Sequence, residues 1–115
     1  MGSMKYKINI SPAAQKDLLE IKVYVQFELE NPTAAKSVVG KITKSIATLG
    51  SHPYLGARLS AIANVESDYR YLVCGNYMVF YRVYSQNVYV DRVLYGRRDY
   101  MRILFGGDHT ESFDQ

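Results

Sequence analysis

The sequence has no second cysteine. Cys74 stands alone among 115 residues, so no intrachain disulfide can form. A single thiol fits a reducing compartment, and a cytoplasmic location is expected. Cys74 precedes Gly75 at the end of a strand pattern, where it reads as a small half-buried side chain rather than a nucleophile. Long apolar runs are also missing. None approaches the roughly 20 residues that cross a bilayer, so no membrane partner is expected. No apolar stretch followed by a small-residue cleavage site marks a secretory signal, and Met1-Gly2-Ser3-Met4 reads as a vector remnant ahead of a start at Met4. There is no glycine-rich phosphate loop, no paired cysteine for zinc and no G-x-S-x-G turn. The two histidines, His52 and His109, have no ligand-type neighbours in sequence, so neither a metal nor a cofactor is expected.

What is present is an ordinary globular composition, 48% apolar and 22% charged, with the length of one domain. The net charge is +3, but it is unevenly placed. Asp108, Glu111 and Asp114 give a polar acidic tail over 106–115, which is expected to be disordered. All seven lysines fall between Lys5 and Lys44, and all seven arginines between Arg58 and Arg102. The planar guanidinium suits phosphate or carboxylate in a way that an ammonium does not, so the C-terminal half predicts an anionic partner.

Periodicity predicts the elements. Tyr6, Ile8 and Ile10 alternate with Lys5, Lys7 and Asn9, the pattern of a half-buried strand. Ser11-Pro12 is a helix start, with Ser as N-cap and Pro at the first helical position. Ala14, Leu18, Ile21, Val25 and Leu29 then form one apolar helical face. Asn31-Pro32 closes that helix and opens another, whose face is Ala35, Val38, Ile42, Ile46 and Leu49 and which ends at Gly50. Ser51 to Asp68 lacks a period and reads as a loop with at most one short turn. Three strands follow, Tyr69 to Cys74, Asn76 to Tyr84 and Val88 to Tyr95. They are rich in Tyr, Val and Phe and separated by hairpin-length breaks. A short helix is expected within Arg97 to Phe105. The fold class is therefore α+β, in the order β-α-α-β-β-β, with a helical hairpin packed on an antiparallel sheet. One domain spans residues 5–105.

The chemistry-bearing residues lie in the meander and after it. Arg82 is expected opposite Asp91 in the last hairpin, as an ion pair that fixes register or as a ligand-facing arginine. Arg97 and Arg98 follow Gly96 at a strand exit beside Asp99 and Tyr100. Such a cationic group can hold a phosphate or an acidic peptide bidentately. Tyr69, Tyr71, Tyr77, Tyr81, Tyr84, Tyr89 and Tyr95 read mainly as cross-strand packing with their hydroxyls at the rim.

Two segments carry a resemblance. Gly75-Asn76-Tyr77-Met78-Val79-Phe80-Tyr81-Arg82-Val83 and Arg92-Val93-Leu94-Tyr95-Gly96-Arg97-Arg98-Asp99 resemble the C-terminal signature of ParE/RelE superfamily toxins, with Tyr95 where a histidine is usual. Ser11-Pro12-Ala13-Ala14 with Asp17-Leu18-Ile21, and His52-Pro53 with Leu55-Gly56 and Arg58, resemble the family's first helix and its loop after the second. The resemblance spans about residues 5–100. It implies a growth-inhibiting toxin held silent by a cognate antitoxin protein, and meeting operator DNA only through that antitoxin.

Within the superfamily, RelE-like members are ribosome-dependent mRNA endonucleases, whereas ParE-like members poison DNA gyrase. A RelE-like reading makes Arg70, Arg98 and Tyr100 catalytic. Against it, Met78 and Leu72 stand where such nucleases carry basic residues, and no His or Glu fills the acid–base role. The Gly-Arg-Arg-Asp ending leans toward ParE-like members, with Arg70, Arg82, Arg97, Arg98 and Tyr100 binding target or antitoxin. A third reading is an inactive member that only binds its antitoxin.

Overall fold

The computed structural model describes residues 5–28, 30–63, 65–96 and 98–106. Leu29, Arg97, His109, the expected vector remnant at 1–4 and all but the first residue of the expected tail lie outside this set. Strand β1 (Lys7–Ile10) leads into helix α1 (Pro12–Val23). A π-helical turn, Tyr24–Glu28, continues it. Helix α2 (Pro32–Thr48) returns antiparallel, followed by a two-residue strand β2 (Ala57–Arg58) and a 3₁₀ turn, Leu59–Ala61. Strands β3 (Arg70–Cys74), β4 (Tyr77–Tyr84) and β5 (Asn87–Tyr95) form the meander, and helix α3 (Tyr100–Phe105) follows it.

Both long helices start at the caps that the sequence advertises. The Ser11 hydroxyl accepts from the Ala14 amide at 2.9 Å, and the Asn31 side chain accepts from the Ala34 amide at 3.0 Å. Each satisfies a backbone donor that the first helical turn leaves without a partner. The expected apolar faces are the buried ones. Ala14, Ile21 and Val25 from the first helix, and Ala35, Ile42, Ile46 and Leu49 from the second, meet Val79, Tyr81, Val88, Val90 and Val93 of the sheet.

The sheet order is β1-β5-β4-β3-β2. The meander is antiparallel, and β1 adds beside β5 in parallel, Ile8 opposite Val88. The loop after α2 holds β2 and the 3₁₀ turn in place of one short turn. Leu59 from that turn joins Phe80 and Leu94 in a second buried cluster on the other face of the sheet, where Tyr100, Ile103, Leu104 and Phe105 of α3 pack. Each sheet face therefore carries a packed cluster, the helical hairpin on one and α3 with the 3₁₀ turn on the other.

Strand β1 stops at Ile10, so the β1-facing edge of β5 beyond Val90 needs other partners. Helix α1 supplies them. The Ser11 amide donates to the Val90 carbonyl at 3.0 Å, and its hydroxyl to the Asp91 carbonyl at 2.8 Å. Asp17, 6% exposed, accepts the Val93 amide at 2.8 Å and grips the Arg92 guanidinium through both oxygens at 2.8 Å. A charge-assisted, two-pronged contact of this kind is geometrically specific. It fixes α1 along the sheet edge and so sets the walls of the groove described next.

Candidate functional site

Among the described residues, most of the arginines and tyrosines singled out in the sequence fall into three separate settings. The first is the loop after α2. Gly56 lies so close to the sheet that a Cβ there would meet the Tyr71 carbonyl at 2.6 Å and the Tyr81 hydroxyl at 2.7 Å. Its amide donates to the Tyr81 hydroxyl at 2.8 Å, while its carbonyl accepts Arg70 Nη1 at 2.7 Å. The same guanidinium stacks over the Tyr54 ring, 5.0 Å from its centroid. Arg70 thus holds the His52–Gly56 segment onto the sheet.

The second setting is around Arg82. Its expected position opposite Asp91 is corrected by the structure: Arg82 lies opposite Tyr89. The turn is Ser85–Gln86, one residue earlier than the spacing suggested, with Ser85 at φ 58°. Tyr81 pairs with Val90 and Phe80 with Arg92, so Asp91 is the extra residue of a β-bulge. The bulge swings its carboxylate beside Arg82 all the same, 3.1 Å from Nε. A bulge re-aims a side chain in this way. Asp91 also accepts the Tyr69 hydroxyl at 2.7 Å, and Arg82 lies 5.2 Å over the Tyr69 ring. Burial first, and the hydrogen bond to Asp91 second, raise the Tyr69 hydroxyl above its ordinary pKa. Nearby, Tyr100 packs on Phe80 at 5.1 Å and Phe105 meets Tyr69 edge-on at 5.6 Å.

The third setting is the end of β5. Arg98, exposed, stands at the rim of a groove of about 510 Å³ between α1 and the sheet. Ile21 and Val93 give it an apolar floor, and Tyr24, Tyr77 and Tyr95 line its walls. Tyr77 and Tyr95 meet edge-on at 5.8 Å across the strands. A second cavity of about 580 Å³ opens on the α2 side of Asn76 and Tyr77, bordered by Val38, Lys41, Lys44 and Cys74. The hairpin turn Gly75–Asn76, with Gly75 at φ 62°, projects between the two. Glu20 and Arg98 set opposite charges on the rim of the first groove.

The structure therefore brings Arg82, Tyr69 and Asp91 together, and it sets Arg70 and Arg98 apart. Arg70 is level with Tyr81, whereas Arg98 follows Tyr95, which is level with Tyr77. Four residues along a strand is about 13 Å, and the two positions are also two strands apart. Tyr100 packs with the cluster under α3, and Arg97 lies outside the described residues. Among the described residues no group of three or more His, Cys, Asp or Glu side chains could hold a metal ion, and no helix is long and apolar enough to cross a membrane. Sequence reasoning missed Asp17 as the organiser of the groove. Its signal was a carboxylate set between the apolar positions Ala14, Leu18 and Ile21, where a solvated charge is not expected.

Known proteins place this architecture. The family of ParE toxins of the type II toxin–antitoxin system parDE matches residues 8–100. Among solved structures, the chromosomal ParDE toxin–antitoxin system of P. aeruginosa contains a chain that aligns with a TM-score of 0.67 at 20% identity, covering 81% of this chain and 98% of that one. A chain of the RelBE2 toxin–antitoxin complex of Mycobacterium tuberculosis aligns with a TM-score of 0.56 at 18% identity, covering 82% and 94%. At these identities the two structures speak to the fold. No curated protein matches the sequence. The match over residues 8–100 carries the assignment: the chain belongs to the ParE family of type II toxin–antitoxin toxins.

Proposed function

We propose that this toxin arrests growth by binding DNA gyrase rather than by cutting mRNA, and that a cognate antitoxin silences it by covering the groove at the Arg98 end of the sheet. It acts in the cytoplasm, uses no cofactor, and meets operator DNA only through the antitoxin.

The observation that carries this reading is the dispersal of the basic groups. Ribosome-dependent cleavage needs a base for the 2′-hydroxyl, an acid for the leaving 5′-oxygen and cations around one phosphate. Here Arg70 is bonded to the Gly56 carbonyl, more than 10 Å along the sheet from Arg98 by the strand spacing, at about 3.3 Å per residue. Met78 and Leu72 contribute apolar surface to the two cores. Tyr100 is packed against Phe80. What remains exposed suits recognition. The groove has an apolar floor, aromatic walls and Arg98 at its rim, and Lys41 and Lys44 border the adjoining cavity. An amphipathic segment rich in carboxylates satisfies each of these features, and a disordered one can fold as it binds.

In a binding assay with the cognate antitoxin, Arg98→Ala should speed dissociation and flatten the dependence of affinity on salt. Unchanged binding across the salt series would contradict this placement of the antitoxin. A second, independent arm asks about the target. Gyrase supercoiling should fall on adding the toxin, with mRNA on translating ribosomes left intact.

A further inference from the structure

The groove beside Arg98 holds polar groups that the fold itself does not use. Elsewhere buried tyrosine hydroxyls are paired: Tyr69 donates to Asp91, and Tyr81 accepts from the Gly56 amide. At the groove Tyr24, Tyr77 and Tyr95 bring three hydroxyls to one mouth, beside the Arg98 guanidinium. Among the described residues none of these four groups has a hydrogen-bond or ion-pair partner. Tyr77 is the half-buried one of the three tyrosines. Its ring meets Tyr95 edge-on at 5.8 Å. Burial first, then the neighbouring Tyr24 and Tyr95, raise its hydroxyl above the ordinary pKa, so it stays protonated at neutral pH and offers an O–H. The groove also holds two carboxylates. Asp17 spends both oxygens on Arg92 and on the Val93 amide, whereas Glu20, on α1, is exposed.

A guanidinium and phenolic O–H groups around one mouth are complementary to an oxyanion. Hydrogen bonds to an ionised acceptor are roughly twice as strong as neutral ones. The charge balance of the groove selects which oxyanion. Arg92 neutralises Asp17, which leaves Arg98 as the one free cation among the lining residues and Glu20 as the one free anion. A phosphate dianion would be repelled by Glu20 more strongly than a carboxylate of single charge. Below the mouth, Ile21 and Val93 are apolar, so the body that carries the carboxylate is apolar too. An aspartate or glutamate next to an aliphatic or aromatic residue has this chemistry, and an antitoxin that covers the groove, as proposed above, supplies it. We propose that Arg98 and the hydroxyls of Tyr24, Tyr77 and Tyr95 form a receiving site for one carboxylate side chain of the antitoxin, with an apolar neighbour of that residue seated on Ile21 and Val93. Glu20 repels a second carboxylate, so the acid enters on the Arg98 side, and the groove selects antitoxins by the direction in which their charge runs.

Calorimetric titration of the cognate antitoxin into the full chain and its variants tests this. Tyr77→Phe and Tyr95→Phe keep the rings and remove only the hydroxyls. Neither takes away a bond within the fold, so the urea midpoints should not fall. Each should weaken the complex by about tenfold, the effect of one hydrogen bond to a charged group. The antitoxin is then varied in turn at each of its acidic residues, Asp→Asn or Glu→Gln. One position should couple to Tyr77→Phe and the same position to Arg98→Ala: once that carboxylate is an amide, neither toxin variant should cost much more. Packing by the tyrosine rings alone would show no such coupling. Tyrosine variants that bind like the parent, while Arg98→Ala weakens binding, would overturn the carboxylate site and leave the antitoxin in the groove. Losses that add to those of every antitoxin carboxylate would overturn it as well. Parent-like binding by all three toxin variants would remove both the site and the groove as the place where the antitoxin sits.

Discussion

Single residues decide how firmly this fold holds its surfaces in place, and Tyr81 shows how. Its side chain is fully buried, and its hydroxyl is the acceptor for the Gly56 amide. Tyr81→Phe keeps the ring and removes the acceptor, leaving a buried backbone N–H without a partner. The expected cost is about 1–3 kcal/mol in denaturant unfolding. Burial raises the Tyr81 hydroxyl above its ordinary value of 10.0, an effect that the Gly56 bond and Arg70 partly oppose. The sign follows from linkage. A group whose folded pKa exceeds its unfolded one contributes stability that is complete below the unfolded value and is lost as pH rises through the folded one. The parent chain should therefore lose stability more steeply than Tyr81→Phe above pH 10, and the gap between them should close. A gap independent of pH, measured by urea midpoints from pH 8 upward, would place the tyrosine's contribution elsewhere. Arg70 belongs to the same local assembly. Its bond to the Gly56 carbonyl explains a basic residue at this position without invoking chemistry on a phosphate.

Among the elements, those with a local cause were legible in the sequence. Ser11-Pro12 and Asn31-Pro32 mark helix starts because a side-chain oxygen can accept from an amide three residues on, and both caps form. Asn31→Ala should cost about 1 kcal/mol, the ordinary value of a cap. Ser11→Ala should cost more, because its hydroxyl also donates to the Asp91 carbonyl at the sheet edge. Equal losses in thermal unfolding would argue that the edge contact contributes nothing. Alternation placed the three meander strands to within one residue of their ends and began the first strand two residues early, at Lys5 instead of Lys7. Features with a non-local cause were not legible. The bulge at Asp91 depends on how β4 and β5 pair, so a hairpin count centred one residue late set Arg82 against the wrong partner. The parallel pairing of β1 with β5 depends on where the helical hairpin delivers the chain. The π-helical turn at Tyr24–Glu28 leaves no mark in a period of 3.6. Asp17 was visible only as a charge in an apolar face. Its bonds to Arg92 and to the Val93 amide join residues 75 and 76 positions apart.

At the scale of the whole molecule, the basic residues are spread over a covered sheet rather than gathered round one point. Helix α3 closes the face that holds Phe80 and Leu94, α1 and α2 close the other, and the open ground is the end of the sheet around Asn76, Tyr77 and Arg98. Such a surface suits binding. On the proposed reading, Leu72 and Met78 stand where the resemblance expects basic residues, and losing one preorganised charge stabiliser typically costs about 10²–10³ in rate. The direct comparison is the purified toxin in two parallel reactions, one following DNA supercoiling by gyrase and one mapping mRNA ends on translating ribosomes. Inhibition of gyrase at toxin concentrations that leave the mRNA ends unchanged is the predicted result. Codon-phased cleavage that disappears in Arg98→Ala, with supercoiling unaffected, would contradict it.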